Sequence, residues 1–273
     1  MDTGIATRRS PFTFILLLVA LSIPFLVVGA IVESPRWMPM GMPVSAFMIF
    51  CPLIAASLLI HRQEGRAGVW RLVKRSIDVT KVRPRIWYLP AVLLMPAVLL
   101  LSYVVMRLTG APLPEQPYVS LAAIPVLFLV FTIAAALEEA GWMGYAAEPL
   151  QARWNALTTG VVLGVVWAAW HVTPWAYVHD ARWVAGQCLS TVAGRVLIVW
   201  LFNNTGGAVY AAVMFHAMMN LSEALFPNDS SHYDPLVTGI ILAAVTVAVV
   251  LLWGPETLTR ARRSHAQAVQ AAP

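Results

Sequence analysis

Apolar residues run through this chain in long blocks rather than in the alternating or three-to-four spacing of a soluble fold. Crossing the hydrocarbon of a bilayer takes about 20 predominantly apolar residues in a helix. Eight stretches approach that length, at residues 11–32, 41–60, 87–106, 119–146, 158–177, 184–203, 206–224 and 235–254. The pattern predicts an all-α polytopic transmembrane helix bundle of about eight spans. No soluble domain, long linker or repeat interrupts it, so residues 1–273 are expected to form a single integral membrane domain. Polar residues collect in two segments between the blocks. His61 to Ile86 is the longest, and its spacing suits an interfacial amphipathic helix that lays Val69, Trp70, Leu72 and Val73 on lipid and is ended by Pro84. Phe226 to Pro235 is rich in turn formers and is expected to be an external loop.

Composition agrees with the pattern, since 59% of the residues are apolar and only 11% charged, against roughly a quarter charged in a soluble domain. The net charge of +5 raises nucleic acid as a partner, but the 18 Lys and Arg are distributed by topology. Eight fall between the second and third spans: Arg62, Arg66, Arg71, Lys74, Arg75, Lys81, Arg83 and Arg85. With eight spans, that loop shares a side with Arg8, Arg9, Arg153, Arg260, Arg262 and Arg263, which places 14 of the 18 on one face. The positive-inside rule makes that face cytoplasmic, with both termini, in a multi-pass protein of the cell membrane. The basic loop suits anionic headgroups, so membrane lipid is an expected partner and nucleic acid is not. The first span follows Arg8 and Arg9 but is long and lacks a small-x-small site after it, which predicts a retained helix. Cys51 and Cys188 lie within spans and are expected to pack, as are Gly160 and Gly164, a GxxxG pair on the fifth span.

An ionisable side chain inside the bilayer costs about 2.5 to 3.5 kcal/mol on insertion scales, so each asks for a role. Those within the spans are Glu138 and Glu139 on the fourth, His171 on the fifth, Arg195 on the sixth and His216 on the seventh, with Asn220 as a polar companion. At roughly 1.5 Å per residue, His171 lies about 20 Å and His216 about 15 Å from the cytoplasmic end of its span, and Glu138 about 12 Å. Similar depth on three helices predicts one shared cavity. Adjacent helical carboxylates point about 100° apart and need separate partners, so one Glu is suited to activate water while the other holds an ion pair. His216 and Asn220, four apart, share a helix face and can meet one substrate oxygen. Trp167 and His171 repeat that spacing, with the indole beside the imidazole. His61, His179, His232 and His265 fall in loops or tails, and Glu223 near a span end; none of these is expected to act.

Three segments, LEEAGWMGYAAEPLQARW from Leu137, GVVWAAWHVTPW from Gly164 and NNTGGAVYAAVMFHAMMN from Asn203, resemble the CPBP family of intramembrane proteases. That family, also called Abi or CAAX-protease-like, includes the type II CAAX prenyl endopeptidases. The likeness covers about residues 119–224 and follows an ordered set of Glu-Glu-x-x-x-Arg, aromatic-x-x-x-His and His-x-x-x-Asn. It implies hydrolysis of a peptide bond in a membrane-associated or lipid-modified peptide substrate. Glu138 and His171 would activate water, His216 and Asn220 would support the oxyanion, and Glu139 would be the supporting carboxylate. The family's cofactor is open: two Glu and two His are of the type that holds a divalent metal such as zinc, but no HExxH pre-forms the site.

One position departs from the family pattern. Met143 stands where the first motif has Arg, and Arg195 is expected to supply the missing cation to Glu139 from the sixth span. Met143 is also the feature that favours an alternative, a non-catalytic membrane scaffold or bacteriocin-immunity protein with a degenerate site. A proton-coupled transporter would use buried Glu and His as relays, but the chain lacks paired halves with broken helices.

Overall fold

Local sequence starts and stops each helix in the computed structural model, which describes residues 9–32 and 44–260. The first helix, α1 (Pro11–Ile31), opens on Ser10, whose hydroxyl accepts from the Thr13 amide, with Pro11 in the first turn where its missing N–H costs nothing. A 3₁₀ turn (Val44–Phe50) leads into α2 (Cys51–Ile77), followed by α3 (Tyr88–Leu108) and α4 (Ile124–Gly141). The last continues through a π-helical turn (Trp142–Ala146) into the short α5 (Ala147–Gln151). Then come α6 (Ala156–Ala176), α7 (Ala181–Asn204), α8 (Val209–Ala224) and α9 (Pro235–Trp253). Asn155, Asp180 and Asp234 cap α6, α7 and α9 with side-chain oxygens on the first-turn amides.

The bundle is all-helical among the described residues, and seven helical runs are long and apolar enough to cross a membrane. The expected span at 206–224 is shorter than predicted. Gly206 and Gly207 adopt positive φ (67° and 81°) and form a turn, so α8 is left with 16 residues. The basic segment also differs from expectation. Its first part is not a separate interfacial helix but the continuation of α2, broken only at Gly65 (φ 65°), and it ends at Ile77, seven residues before Pro84. Leu72 on it is buried in protein, while Trp70 is exposed as expected. Arg8, Arg262 and Arg263 lie outside the described residues.

Packing is closest where side chains are absent. A Cβ on Gly160 would come 3.0 Å from Val196 Cα, and one on Gly164 2.9 Å from Val192 Cα, so the GxxxG pair seats α6 directly on α7. The helix α8 lies at the centre, packed against α3, α4 and α7, with 11 of its residues buried.

The two ends of the bundle are built differently. At the basic end, Arg9 pairs with Glu64 at 3.0 Å and donates to the Gly144 carbonyl at 3.3 Å. Arg75 pairs with Glu148 and donates to the Gly207 carbonyl at 3.1 Å. The segment after α9 is stitched on there too, through Ala156 N to Glu256 O (2.9 Å) and Asn204 Nδ2 to Leu258 O (2.7 Å). The opposite end is held by fewer ties. Tyr118 and Asn228 bond each other at 3.0 Å in both directions, and Arg182 pairs with Asp234 at 2.8 Å.

Candidate active site

Glu138 and Glu139 occupy the last turn of α4, immediately before the π turn. One residue of helix rotates the side chains about 100° apart, and the two carboxylates find unlike surroundings. Glu139 is fully buried. Its Oε2 accepts from Arg195 Nη1 on α7 at 2.6 Å, and its Oε1 accepts from His216 Nδ1 on α8 at 2.9 Å. Met143, also fully buried, lies in the apolar packing of the π turn. The cation that position 143 lacks therefore reaches Glu139 from the neighbouring helix. Arg195 in turn places its guanidinium carbon 4.0 Å from the centroid of the Trp167 ring and 5.8 Å from that of Trp142. Its Nε and Nη2 find no acceptor among the described residues, and the ring faces supply the negative potential instead.

Glu138 faces the other way. It is 4% exposed, and its Oε2 accepts from Trp167 Nε1 at 2.9 Å. The same indole packs edge-on against His216, with centroids 4.8 Å apart, so Trp167 joins the two carboxylate environments. One turn further along α6, His171 Nδ1 lies 2.9 Å from the Trp167 carbonyl. A carbonyl oxygen can only accept, which puts the proton on Nδ1 and leaves Nε2 as an acceptor. His171 also stacks on Trp175, at 5.1 Å and 16°. On α8, His216 is 2% exposed and has Nδ1 committed to Glu139, so Nε2 is its free ring nitrogen.

Glu138, Trp167, His171, His216 and Asn220 all line one cavity of about 570 Å³. The five sequence-predicted groups from three helices thus fall together in two layers. Glu138, His171, His216 and Asn220 border the cavity, whereas Glu139 and Arg195 lie behind His216 and fix it. Among the described residues, no group of three or more His, Cys, Asp or Glu side chains is placed to hold a metal ion. The geometry thus supplies no ligand set for zinc, although two histidines keep a ring nitrogen free.

The cavity includes groups that the sequence did not single out. Glu223 borders it, with Oε2 accepting from Gln187 Nε2 at 3.2 Å, and Tyr233 closes the same corner by donating to Gln187 Oε1 at 3.4 Å. The signal for Glu223 was present, since His216, Asn220 and Glu223 follow i, i+4, i+7 spacing on one helix face. Its nearness to a span end masked it. His179, expected to be an idle loop residue, stacks on Trp183 with centroids 3.6 Å apart and lines the cavity's outer part. Burial holds its imidazole pKa below the usual value, and the neighbouring Asp180 only partly opposes this.

Comparison with known proteins comes down on the same residues. A family model described as "Type II CAAX prenyl endopeptidase Rce1-like" matches residues 120–222, which contain Glu138, Glu139, His171, Arg195, His216 and Asn220. A curated relative from Methanococcus maripaludis, CAAX prenyl protease 2, is 26% identical over 215 residues, covering 72% of this chain and 78% of the relative.

Proposed function

Because the chain belongs to the CAAX-protease-like family, we propose that it is an intramembrane endopeptidase that cleaves a peptide bond in a membrane-associated or lipid-modified substrate. The reading is carried by the state of Glu138: a carboxylate in a buried cavity with one oxygen held by Trp167 and the other uncommitted, beside a histidine whose acceptor nitrogen is free. In the proposed reaction, a water between the two gives one proton to Glu138 and a hydrogen bond to His171 Nε2. Its oxygen attacks the substrate carbonyl carbon. The charge that develops on the carbonyl oxygen is met by the Asn220 carboxamide and by His216, which donates from Nε2 when protonated there. The C–N bond then breaks, and Glu138 passes its proton to the leaving amine.

Glu139 and Arg195 are positioning residues in this scheme, since Glu139 touches His216 rather than the substrate. No step runs through a metal, because the ligand set on which one would sit is incomplete. The scaffold reading drew its support from Met143, and Arg195 removes that support by completing the ion pair. Reconstitution of the purified protein with a library of membrane peptides tests the proposal. Wild type is expected to cleave, and Glu138→Ala and His216→Ala to lose cleavage by about 10²-fold or more. Cleavage that survives both substitutions would defeat the assignment. Binding without cleavage by wild type would favour the scaffold instead.

A further inference from the structure

The catalytic cavity is a pocket with one end. Its inner part is bordered by Glu138, Trp167 and His216, and its outer part by His179, Asp229 and Ser230. His179 belongs to the connection between α6 and α7, and Asp229 and Ser230 to the one between α8 and α9. Those connections share the end of the bundle with the stretch after α3. No residue of the other end, neither the α2–α3 segment, the α5–α6 turn nor the α7–α8 turn, borders the cavity. That end is sealed below the site by fully buried Trp142, Met143 and Tyr145 and tied across by Arg75, Glu148 and Gly207.

Charge divides along the same line. The sealed end carries Arg9, the eight basic residues of the α2–α3 segment, Arg153 and Arg260, against Glu64, Asp78, Glu148 and Glu256. At the open end, Arg107 and Arg182 face Glu115, Asp180, Asp229 and Asp234. An excess of Lys and Arg near the ends of spans marks the cytoplasmic side. We infer that the cavity opens on the non-cytoplasmic face, so the substrate is a segment of a membrane-anchored or exported polypeptide that emerges there, not a cytoplasmic tail. The wall chemistry narrows the segment further. Glu223 and Asp229 border the cavity and no Lys or Arg does, so a basic side chain is accepted in the outer part more readily than an acidic one.

The substrate assignment rests on the protease reading, whereas the direction of opening stands without it, and the two are separable by experiment. In full-length protein with Cys51 and Cys188 replaced by Ala, single thiols are introduced by Ser231→Cys at the open end and Arg153→Cys at the sealed end, both exposed positions. A membrane-impermeant maleimide applied to intact cells is expected to label the first at least tenfold faster than the second, with the difference abolished on permeabilisation. The opposite preference overturns the inference. A peptide cleaved by the purified protein is then fused to a single-span anchor in both orientations and co-expressed. Cleavage confined to the orientation that exposes it outside the cytoplasm is expected; cleavage confined to the cytoplasmic orientation refutes it. Outward labelling at Ser231→Cys with no peptide cleaved in either orientation would reject the protease reading and leave the direction of opening intact.

Discussion

Glu138 and Glu139 are neighbours in the chain but belong to different regions of the molecule, one a wetted cavity and the other a dry, ion-paired wall. In the wall, Glu139 spends both oxygens, on Arg195 and His216, and nothing around it is left to react. In the cavity, Glu138 spends one oxygen on Trp167 and keeps the other. The difference teaches that an acidic pair on a helix need not be a pair in chemistry. The 100° step between adjacent residues sends one carboxylate to hold a histidine and the other to meet the substrate.

This division can be broken most severely from the wall side. Arg195→Gln leaves the Glu139 carboxylate buried without its cation, and removing one partner of a buried ion pair costs about 3 to 5 kcal/mol. The expected outcome is a large drop in thermal stability and yield in detergent, with activity lost in step. A well-folded, fully active Arg195→Gln protein would show that the wall does not depend on the pair. A change on the cavity side should do the reverse. Asn220→Ala is expected to lower kcat by about 10²- to 10³-fold, as removal of an oxyanion donor does, while the melting temperature stays at the wild-type value. A stability loss in that variant would place Asn220 in the wall instead. The smallest effect is expected where the two regions meet. Trp167→Phe deletes the indole donor to Glu138 but keeps an aromatic face under Arg195, so kcat should fall only about tenfold, the worth of one hydrogen bond to a charged group. An equal loss in Trp167→Phe and Asn220→Ala would sharpen Trp167 from a link into a main support.

Much of this was legible in the sequence because a bilayer makes polarity conspicuous. Glu138, Glu139, His171, Arg195 and His216 stood out by being ionisable inside apolar runs, and helical spacing tied Asn220 to His216 and Trp167 to His171. The pairing of Arg195 with Glu139 could be anticipated because Arg195 was the deep cation available to replace Met143. Other features carried weaker signals. Glu223, Gln187 and Tyr233 sit near helix ends, where a polar side chain is cheap and therefore uninformative. The π turn at Trp142–Ala146 widens the helix by tertiary packing of Trp142, Met143 and Tyr145 and has no sequence period of its own. The continuation of α2 past Gly65 was missed because charged residues that pair across the bundle, as Arg75 does with Glu148, read in sequence as a solvated loop.

The short α8 has a consequence for how far a substrate must travel. Its 16 residues rise about 24 Å, less than the roughly 30 Å of hydrocarbon. Being wrapped by other helices, it is spared contact with lipid along most of its length, so its ends can remain recessed between its neighbours. His216 lies eight residues, or about 12 Å, from the α8 terminus at the open end. An extended chain covers that distance in about four residues. A polypeptide therefore reaches the site by surrendering roughly one helical turn of its own structure, a modest unwinding that a frayed end at a membrane boundary already provides and that the middle of a stable span does not.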